Sequence, residues 1–188
     1  MSSIKGPYIV AVEGPAGSGK STWIRQQVLS KPDYHFIQRP QWPRQMNAED
    51  GAINSSVYEF HGILDATLYR TPVLMDRFLL SRWVYRALQS GSLTNSFRSE
   101  MNSSWRNMRN CAVNEAHARL DQDKIYVQPP AHITVLLPAY SELSERRNKT
   151  VGKTYPFSAQ DELDLYYIIA TALMEHPIFG IDVTIQLS

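Results

Sequence analysis

The most informative segment of this sequence is Glu13-Gly14-Pro15-Ala16-Gly17-Ser18-Gly19-Lys20-Ser21-Thr22. Residues 14–21 match the pattern G-x-x-x-x-G-K-[ST] of a phosphate-binding loop. An apolar run at residues 8–12 precedes the segment, and a helix-like segment at residues 21–29 follows it. A phosphate-binding loop requires this order of strand, glycine-rich turn and helix. The sequence therefore predicts a site for nucleoside triphosphate phosphates, with a chance glycine-rich turn as the alternative.

The pattern gives each part of the loop a physical role. Glycines allow the backbone to curl tightly and to turn its N–H groups inward, and the following helix adds its positive end. Lys20 is expected at the β- and γ-phosphates, and the Ser21 hydroxyl at Mg²⁺. We therefore predict ATP and Mg²⁺ as cofactors. The predicted nucleotide-binding residues are Gly14, Pro15, Ala16, Gly17, Ser18, Gly19, Lys20, Ser21 and Thr22.

Bulk properties suggest an ordinary globular protein of 188 residues with a formal net charge of +1. Its single cysteine, Cys111, excludes an internal disulfide and fits a reducing compartment. We interpret Cys111 as a small core residue of a helix. No apolar run approaches 18 residues, so we expect no membrane partner. The sequence predicts a cytoplasmic enzyme, located in the host cytoplasm if a phage encodes it.

The middle of the chain is rich in arginine. Residues 70–119 contain eight arginines, no lysine and three acidic residues, which gives this part a net charge of +5. Arginine suits bidentate recognition of phosphate. A solvated helix face is the alternative, and it accounts better for most of these arginines.

Apolar strand patterns alternate with helical patterns along the chain. The predicted strands are residues 8–12, 34–38, 73–75, 132–137 and 182–187. The predicted helices are residues 21–29, 57–69, 78–89, 105–121, 141–148 and 160–176. We interpret residues 45–56 as loop and the Ser- and Asn-rich residues 91–104 as a mobile connection. The alternation predicts an α/β domain over residues 1–188, with a parallel five-stranded sheet and helices on both faces.

Two predicted strands end in residues that suit a binding site. The second strand leads into Arg39 and a proline-rich loop that contains Trp42, and the third ends at Asp76-Arg77. Ligands bind at the carboxyl ends of strands in open α/β sheets, so these residues are candidates for the site. A helix N-cap is the alternative role of Asp76.

A family resemblance extends this interpretation. The segment Asp76-Arg77-Phe78-Leu79-Leu80-Ser81-Arg82-Trp83-Val84-Tyr85 resembles the D-R-[YFH]-x-x-S-x-x-A-Y segment of thymidylate kinases. It follows the glycine-rich loop in the order found in that family. Residues 138–156, a helix and a basic turn after Leu137-Pro138, resemble the family's lid. Deoxynucleoside kinases match less well, since their middle segment usually begins with Glu-Arg-Ser. The resemblance implies a P-loop kinase fold with a basic lid.

The resemblance also implies roles for individual residues. Those expected in catalysis are Lys20, Asp76, Arg77, Arg146 and Arg147, with Ser21 and Asp76 beside the metal. Those expected at the acceptor are Arg39, Trp42, Phe60, Ser81 and Tyr85, with Tyr58 as an alternative to Phe60 for stacking on a base. A helix-end pair favoured by the helix dipole is the alternative for Arg146 and Arg147.

The sequence departs from the family in two places that concern the acceptor. Ala16 stands where thymidylate kinases commonly carry an acid that contacts the sugar 3′-hydroxyl. The segment Gly152-Lys153-Thr154-Tyr155 replaces the usual Asp-Arg pair of the lid. An acceptor whose 3′-oxygen is already a phosphodiester has no hydroxyl for that acid to hold. Some phage relatives of thymidylate kinase phosphorylate 5-hydroxymethyluracil within DNA and resemble this case.

The sequence therefore favours an ATP-dependent kinase whose acceptor is a free deoxypyrimidine nucleotide such as dTMP. Hydroxymethyluracil within DNA is the second candidate acceptor, and a deoxynucleoside is the third. A non-enzymatic nucleotide switch is less favoured, because we find no water-orienting or base-reading motif for one. The sequence leaves open an assembly of two copies.

Overall fold

The structure is a computed structural model that describes residues 8–40, 48–119, 128–150 and 152–187. Trp42, one of the expected acceptor-binding residues, lies outside them. The described residues form five strands and six helices. In chain order these are β1 (Ile9–Glu13), α1 (Lys20–Ser30), β2 (His35–Ile37), α2 (Ala48–Tyr69), β3 (Val73–Asp76), α3 (Leu79–Ser90), α4 (Phe97–Arg119), β4 (Ala131–Leu137), α5 (Tyr140–Lys149), α6 (Ala159–Glu175) and β5 (Ile181–Leu187).

The five strands form one parallel sheet in the order β2-β3-β1-β4-β5. Ile9 lies opposite Val73 on one side and Ala131 on the other, so β1 is the central strand. All strands end at the same edge of the sheet because all pairs are parallel. The glycine-rich loop after β1 and Asp76 at the end of β3 therefore lie side by side.

The helices cover the two faces of the sheet unequally. The main core lies between one face and helices α2, α3, α4 and α6, and its large members include Trp105 and Tyr166. On the other face, Ile24 of α1 packs against Val12, Leu74 and Leu136. Each fully buried aliphatic side chain contributes roughly 1.5–3 kcal/mol of transfer free energy. The predicted parallel sheet with helices on both faces is confirmed.

Helix α3 shows how an amphipathic pattern orients site residues. Its buried apolar residues recur at helical spacing and anchor one face in the core: Leu79, Leu80, Trp83, Val84 and Ala87. This anchoring fixes Ser81 and Tyr85 near the carboxyl edge of the sheet. Gly91 ends the helix with φ of 73°, a left-handed conformation that glycine adopts without strain.

Three expectations about local structure are wrong. Helix α2 already begins at Ala48, within residues interpreted as loop, and α4 begins at Phe97, within the expected mobile connection. Phe97 and Met101 are buried, so the apolar side of α4 stabilises a helix whose other residues are mostly polar. Cys111 is exposed rather than in the core, because the neighbouring Ala112 occupies the inward position. Of the helices in the described ranges, none is long and apolar enough to cross a membrane.

Candidate active site

The phosphate-binding loop, residues 14–19, connects the central strand to α1. Gly14, Gly17 and Gly19 have φ values of 136°, 91° and 96°, which favour glycine strongly. A Cβ atom on Gly14 would lie 2.5 Å from the carbonyl oxygen of Leu136 at the end of β4. Any side chain at position 14 would therefore force the loop away from the sheet.

Lys20 is enclosed within this loop. Its side chain is buried, and Nζ donates hydrogen bonds to the carbonyl oxygens of Gly14 at 2.9 Å and Pro15 at 2.6 Å. Burial holds the pKa of Lys20 well below its usual value, and nearby Arg77 lowers this pKa further. Because burial disfavours its positive charge, Lys20 is prepared to bind an anion that enters the loop.

Asp76 and Ser21 meet at a cleft of about 650 Å³ at the carboxyl edge of the sheet. The lining residues come from α1, β2 and its following loop, and β3: Ser21, Ile24, Arg25, Phe36, Gln38, Arg39, Pro40 and Asp76. Oδ1 of Asp76 is buried and accepts no hydrogen bond from the described residues. A buried carboxylate oxygen beside a serine hydroxyl suits Mg²⁺, which binds proteins through few side chains and completes its shell with phosphates and water. No larger cluster of metal-binding side chains occurs in the described ranges.

Arg77 directly follows Asp76 in the chain and has a strained backbone conformation. Its φ is 70°, and a left-handed conformation costs a non-glycine residue roughly 1–2 kcal/mol. Nη1 donates to Ser81 Oγ at 2.9 Å and to the Tyr166 hydroxyl at 2.6 Å, and the guanidinium lies 5.2 Å from the centre of the Tyr85 ring. The surrounding side chains thus hold Arg77 in one position.

Glu13, the last residue of β1, binds the start of helix α3. Its buried Oε1 accepts hydrogen bonds from the backbone N–H groups of Phe78 at 2.6 Å and Ser81 at 3.2 Å, and Oε2 accepts one from Ser81 Oγ. A carboxylate at a helix N-terminus pairs with unsatisfied N–H groups and with the helix dipole. Glu13 directly precedes the loop motif, and the sequence alone indicates no role for it.

The two arginines expected in a lid, Arg146 and Arg147 of α5, have different surroundings. Arg147 is buried: Nε donates to the Ala16 carbonyl at 2.9 Å, Nη1 donates to the Phe157 carbonyl at 3.1 Å, and Glu162 Oε1 lies 3.0 Å from Nη2. The side chain of Arg146 is 40% exposed; it pairs with Glu142 and donates to the Gly17 carbonyl at 3.4 Å. Arg147 therefore fixes helix α5 to the phosphate-binding loop, whereas Arg146 lies at the solvent-accessible side of that loop.

Helix α6 supplies two site residues that the sequence interpretation missed. Glu162 Oε2 accepts the N–H of Ala16 at 3.0 Å, and the Tyr166 hydroxyl lies 2.7 Å from Ser81 Oγ. Both side chains are buried. The sequence predicts α6 as a helix. The one indication that Glu162 and Tyr166 belong to the site is that polar groups occur on the side of the helix that is otherwise apolar. Ser158, interpreted as the N-cap of this helix, accepts the N–H of Asp161 as expected.

The remaining candidates divide between the cleft and the core. Arg39 lines the cleft; burial lowers the pKa of its guanidinium, and Arg77 lowers it further. Tyr58 donates to the carbonyls of Ile37 and Asp76 at 3.0 and 3.2 Å, so it holds the ends of β2 and β3 together. Phe60 instead packs against the main core. Ser18 of the loop is buried, while Ser21 and Thr22 in the first turn of α1 are exposed.

Another buried acid, Glu59, lies on α2. Both oxygens of Glu59 are enclosed, and Oε2 lies 3.2 Å from Nη2 of Arg82. Burial raises the pKa of Glu59 to about 7, and the attraction of Arg82 only partly opposes this shift. Arg82 also donates hydrogen bonds to Ser56 and to Ser104, so this cluster connects α2, α3 and α4.

Comparisons with known proteins agree with this geometry at the level of fold. No protein-family model and no curated protein matches the sequence significantly. A thymidylate kinase from Candida albicans matches over 97% of this chain and 85% of its own, with a TM-score of 0.58 and 16% identity. A thymidylate kinase from Ehrlichia chaffeensis covers 96% and 86%, with a TM-score of 0.53 and 15% identity.

A third structure, deoxyadenosine kinase from M. mycoides with bound dATP, covers 94% of this chain and 90% of its own, with a TM-score of 0.50 and 11% identity. The chain has the fold of P-loop nucleotide kinases. The fold expected from the glycine-rich loop and the Asp76-Arg77 segment is thereby confirmed. Since identities of 11–16% indicate fold alone, the reaction and its acceptor are argued from the residues of the site.

Proposed function

We propose that this protein is an ATP-dependent kinase that transfers the γ-phosphate to a deoxypyrimidine acceptor, most favourably a deoxynucleoside monophosphate such as dTMP. The observation that carries the proposal is the convergence of three cations, Lys20, Arg39 and Arg77, beside two acids, Glu13 and Asp76. Arg77 lies close enough to Lys20 and Arg39 to lower the pKa of both. Gathering like charges in a buried place favours the binding of anions there.

The donor half of the proposed site is the phosphate-binding loop. Lys20 would exchange its bonds to the Gly14 and Pro15 carbonyls for bonds to the β- and γ-phosphates. The negative phosphates then offset the cost of its buried charge. Mg²⁺ would be held at Ser21 and, through water, at Asp76, where it would neutralise charge on the phosphates.

The acceptor half consists of Arg39, Arg77 and the cleft beside Asp76. An acceptor phosphate is already anionic at neutral pH, so its oxygen attacks the γ-phosphorus without a general base. The bond from the γ-phosphorus to the β–γ bridging oxygen breaks, and ADP leaves. The main obstacle is repulsion between two anions, which Arg39 and Arg77 would reduce from fixed positions. The preference for a pyrimidine rests on the resemblance of residues 76–85 to thymidylate kinases.

A specific feature of the cleft favours DNA as the second candidate acceptor. Strand β2 lies at an edge of the sheet, and its Phe36 remains 36% exposed. The cleft thus extends from Ser21 and Asp76 past Arg25 and Phe36 to the edge of the sheet. Cationic and aromatic side chains along an open groove suit a nucleic-acid strand, because they bind its phosphates and bases.

A transfer assay with γ-labelled ATP tests the proposal. The acceptors are dTMP, thymidine, and single-stranded DNA with and without 5-hydroxymethyluracil. We expect transfer to dTMP, with a large loss in Asp76→Asn and none in the control Asp164→Asn, whose carboxylate is exposed on α6. Transfer only to modified DNA would replace the free nucleotide by the second candidate, and transfer only to thymidine would indicate a nucleoside kinase. ATP hydrolysis without transfer to any acceptor would contradict a kinase.

A further inference from the structure

Two residues of α6 reach different parts of the site from one side of the helix. Glu162 and Tyr166 are four residues apart, so their side chains lie one turn from each other on the same face. Their exposed fractions are 1% and 0%, respectively. The buried face of the helix is otherwise apolar, so a carboxylate and a phenol on it need polar partners, and both have them.

Glu162 connects the helix to the donor side. Its Oε2 accepts the backbone N–H of Ala16 within the phosphate-binding loop at 3.0 Å, while its Oε1 lies 3.0 Å from Arg147. Arg147 in turn donates to the carbonyl of the same Ala16 at 2.9 Å. One residue of the loop, Ala16, is thus held through both its backbone N–H and its backbone carbonyl.

Tyr166 connects the helix to the acceptor side. Its hydroxyl accepts a hydrogen bond from Arg77 at 2.6 Å and lies 2.7 Å from Ser81 Oγ and 3.5 Å from Glu13. Because the Ser81 hydroxyl donates to Glu13, the single Tyr166 proton is left to be shared between Ser81 and Glu13. The hydroxyls of Ser81 and Tyr166 both accept from Arg77 Nη1, so Arg77 is the cation at the centre of this cluster.

Arg77 requires such support. Its φ of 70° is one that an arginine leaves readily unless its surroundings determine it. The Arg77 N–H donates to the Val12 carbonyl at 2.9 Å, which fixes the backbone on β1. The guanidinium itself is fixed by hydrogen bonds to Ser81 and Tyr166.

We propose that Tyr166 is a positioning residue for phosphoryl transfer, which acts by holding the Arg77 guanidinium at the reacting centre. Through Glu162 and Tyr166, α6 fixes the phosphate-binding loop, Arg147 and Arg77 relative to one another. The catalytic part of this inference rests on the proposed kinase function. The part that concerns the conformation of Arg77 does not.

The first test compares Tyr166→Phe with Tyr167→Phe, a matched control on the same helix whose side chain is 54% exposed. Removing one hydrogen bond to a charged group is expected to lower kcat about 10- to 100-fold. The KM for ATP should stay within about 2-fold of the parent value, because the phosphate-binding loop keeps Glu162, whereas a general loss of structure would change both parameters. Equal kcat values for the parent and Tyr166→Phe would overturn the proposal.

A double-mutant cycle with Arg77→Lys shows whether Tyr166 acts through Arg77. If it does, adding Tyr166→Phe to Arg77→Lys lowers kcat no further, since the group being positioned has already been changed. If the double variant instead loses kcat by the product of the two single losses, Tyr166 does not act through Arg77.

A measurement without catalysis separates failure of the inference from failure of the proposed function. We expect amide hydrogen exchange of residues 77–82 to be faster in Tyr166→Phe than in the parent, with Tyr167→Phe unchanged. Unchanged exchange in Tyr166→Phe would overturn the positioning role. A parent protein that transfers phosphate to no acceptor would overturn the proposed function, while the exchange result would still decide whether Tyr166 holds Arg77.

Discussion

At the scale of single residues, burial raises the pKa of Glu59, and this shift can be tested through the pH dependence of stability. Its carboxyl group has a pKa of about 7, raised from 4.5 by desolvation despite the nearby Arg82. The folded protein therefore keeps a proton on Glu59 at pH values where the unfolded chain has released it. From this group alone, the free energy of unfolding falls as pH rises from about 4.5 to about 7.

We therefore predict that Glu59→Gln flattens the dependence of stability on pH. Relative to the parent, the variant should gain about 2–3 kcal/mol between pH 5 and pH 8, because each unit of pKa shift corresponds to about 1.4 kcal/mol. Denaturant unfolding at several pH values measures the difference, and other titrating groups cancel between the two proteins. The control is Glu145→Gln, since the Glu145 side chain is 63% exposed. If the free energies of unfolding of Glu59→Gln and the parent change equally with pH, the raised pKa of Glu59 is contradicted.

At the scale of elements, α5 contributes two neighbouring arginines with separable roles. Arg147 is bound to the loop and to Glu162, with its side chain 7% exposed, while Arg146 faces the solvent side of the loop. Arg147 thus supports the attachment of α5 to the loop and to α6. Arg146 is the arginine better placed to reach a transferring phosphate.

We predict opposite consequences for Arg147→Ala and Arg146→Ala. Arg147→Ala leaves the buried Glu162 without its cation and should lower the free energy of unfolding by about 3–5 kcal/mol. Arg146→Ala should change stability by less than about 1 kcal/mol, since its pair with Glu142 is partly exposed. Its kcat should fall about 100-fold if Arg146 stabilises transition-state charge. Each variant is the control of the other, measured by thermal unfolding and by transfer assays. The reverse pattern would exchange the two roles.

Sequence reasoning succeeded where the signal is local and failed where it is not. The loop at residues 14–21 and the Ser158 cap depend on neighbours within a few positions, so a single sequence reveals them. Tyr166 and Glu162 become site residues only through contacts made across the fold. Helix α2 was expected to begin later, because the polar residues before 57 carry weak helical preference and tertiary contacts override it.

The cleft beside Asp76 illustrates the same limit. Arg39 and Asp76 were expected to meet because both follow parallel strands, and both do line the cleft. Phe60 was expected beside them, yet its helical position turns it toward the main core. Residues 57–69 are helical as expected, but the helical pattern alone did not show which side of α2 faces the cleft and which faces the core.

At the scale of the whole molecule, the phosphate-binding loop is joined by hydrogen bonds to α5 and to α6. We predict that an unhydrolysable ATP analogue at about 100 times its Kd stabilises the fold by about 2.7 kcal/mol, by linkage of binding to folding. Unfolding should remain one cooperative transition because these elements share buried contacts. Lys20→Ala should lose most of the gain, while Lys149→Ala, whose side chain is 73% exposed, should keep it. Identical melting of the parent with and without the analogue would contradict a nucleotide site.

The hydrogen bond between Tyr166 and Glu13 joins residues 153 positions apart in the chain. During synthesis on a ribosome, the phosphate-binding loop emerges early, whereas the residue that holds Arg77 emerges long afterwards. Contacts across so long a separation close late, because the intervening chain must first lose its freedom. A growing chain would therefore form the phosphate-binding loop before Arg77 is held in place, and the proposed phosphate transfer would begin only after α6 has docked.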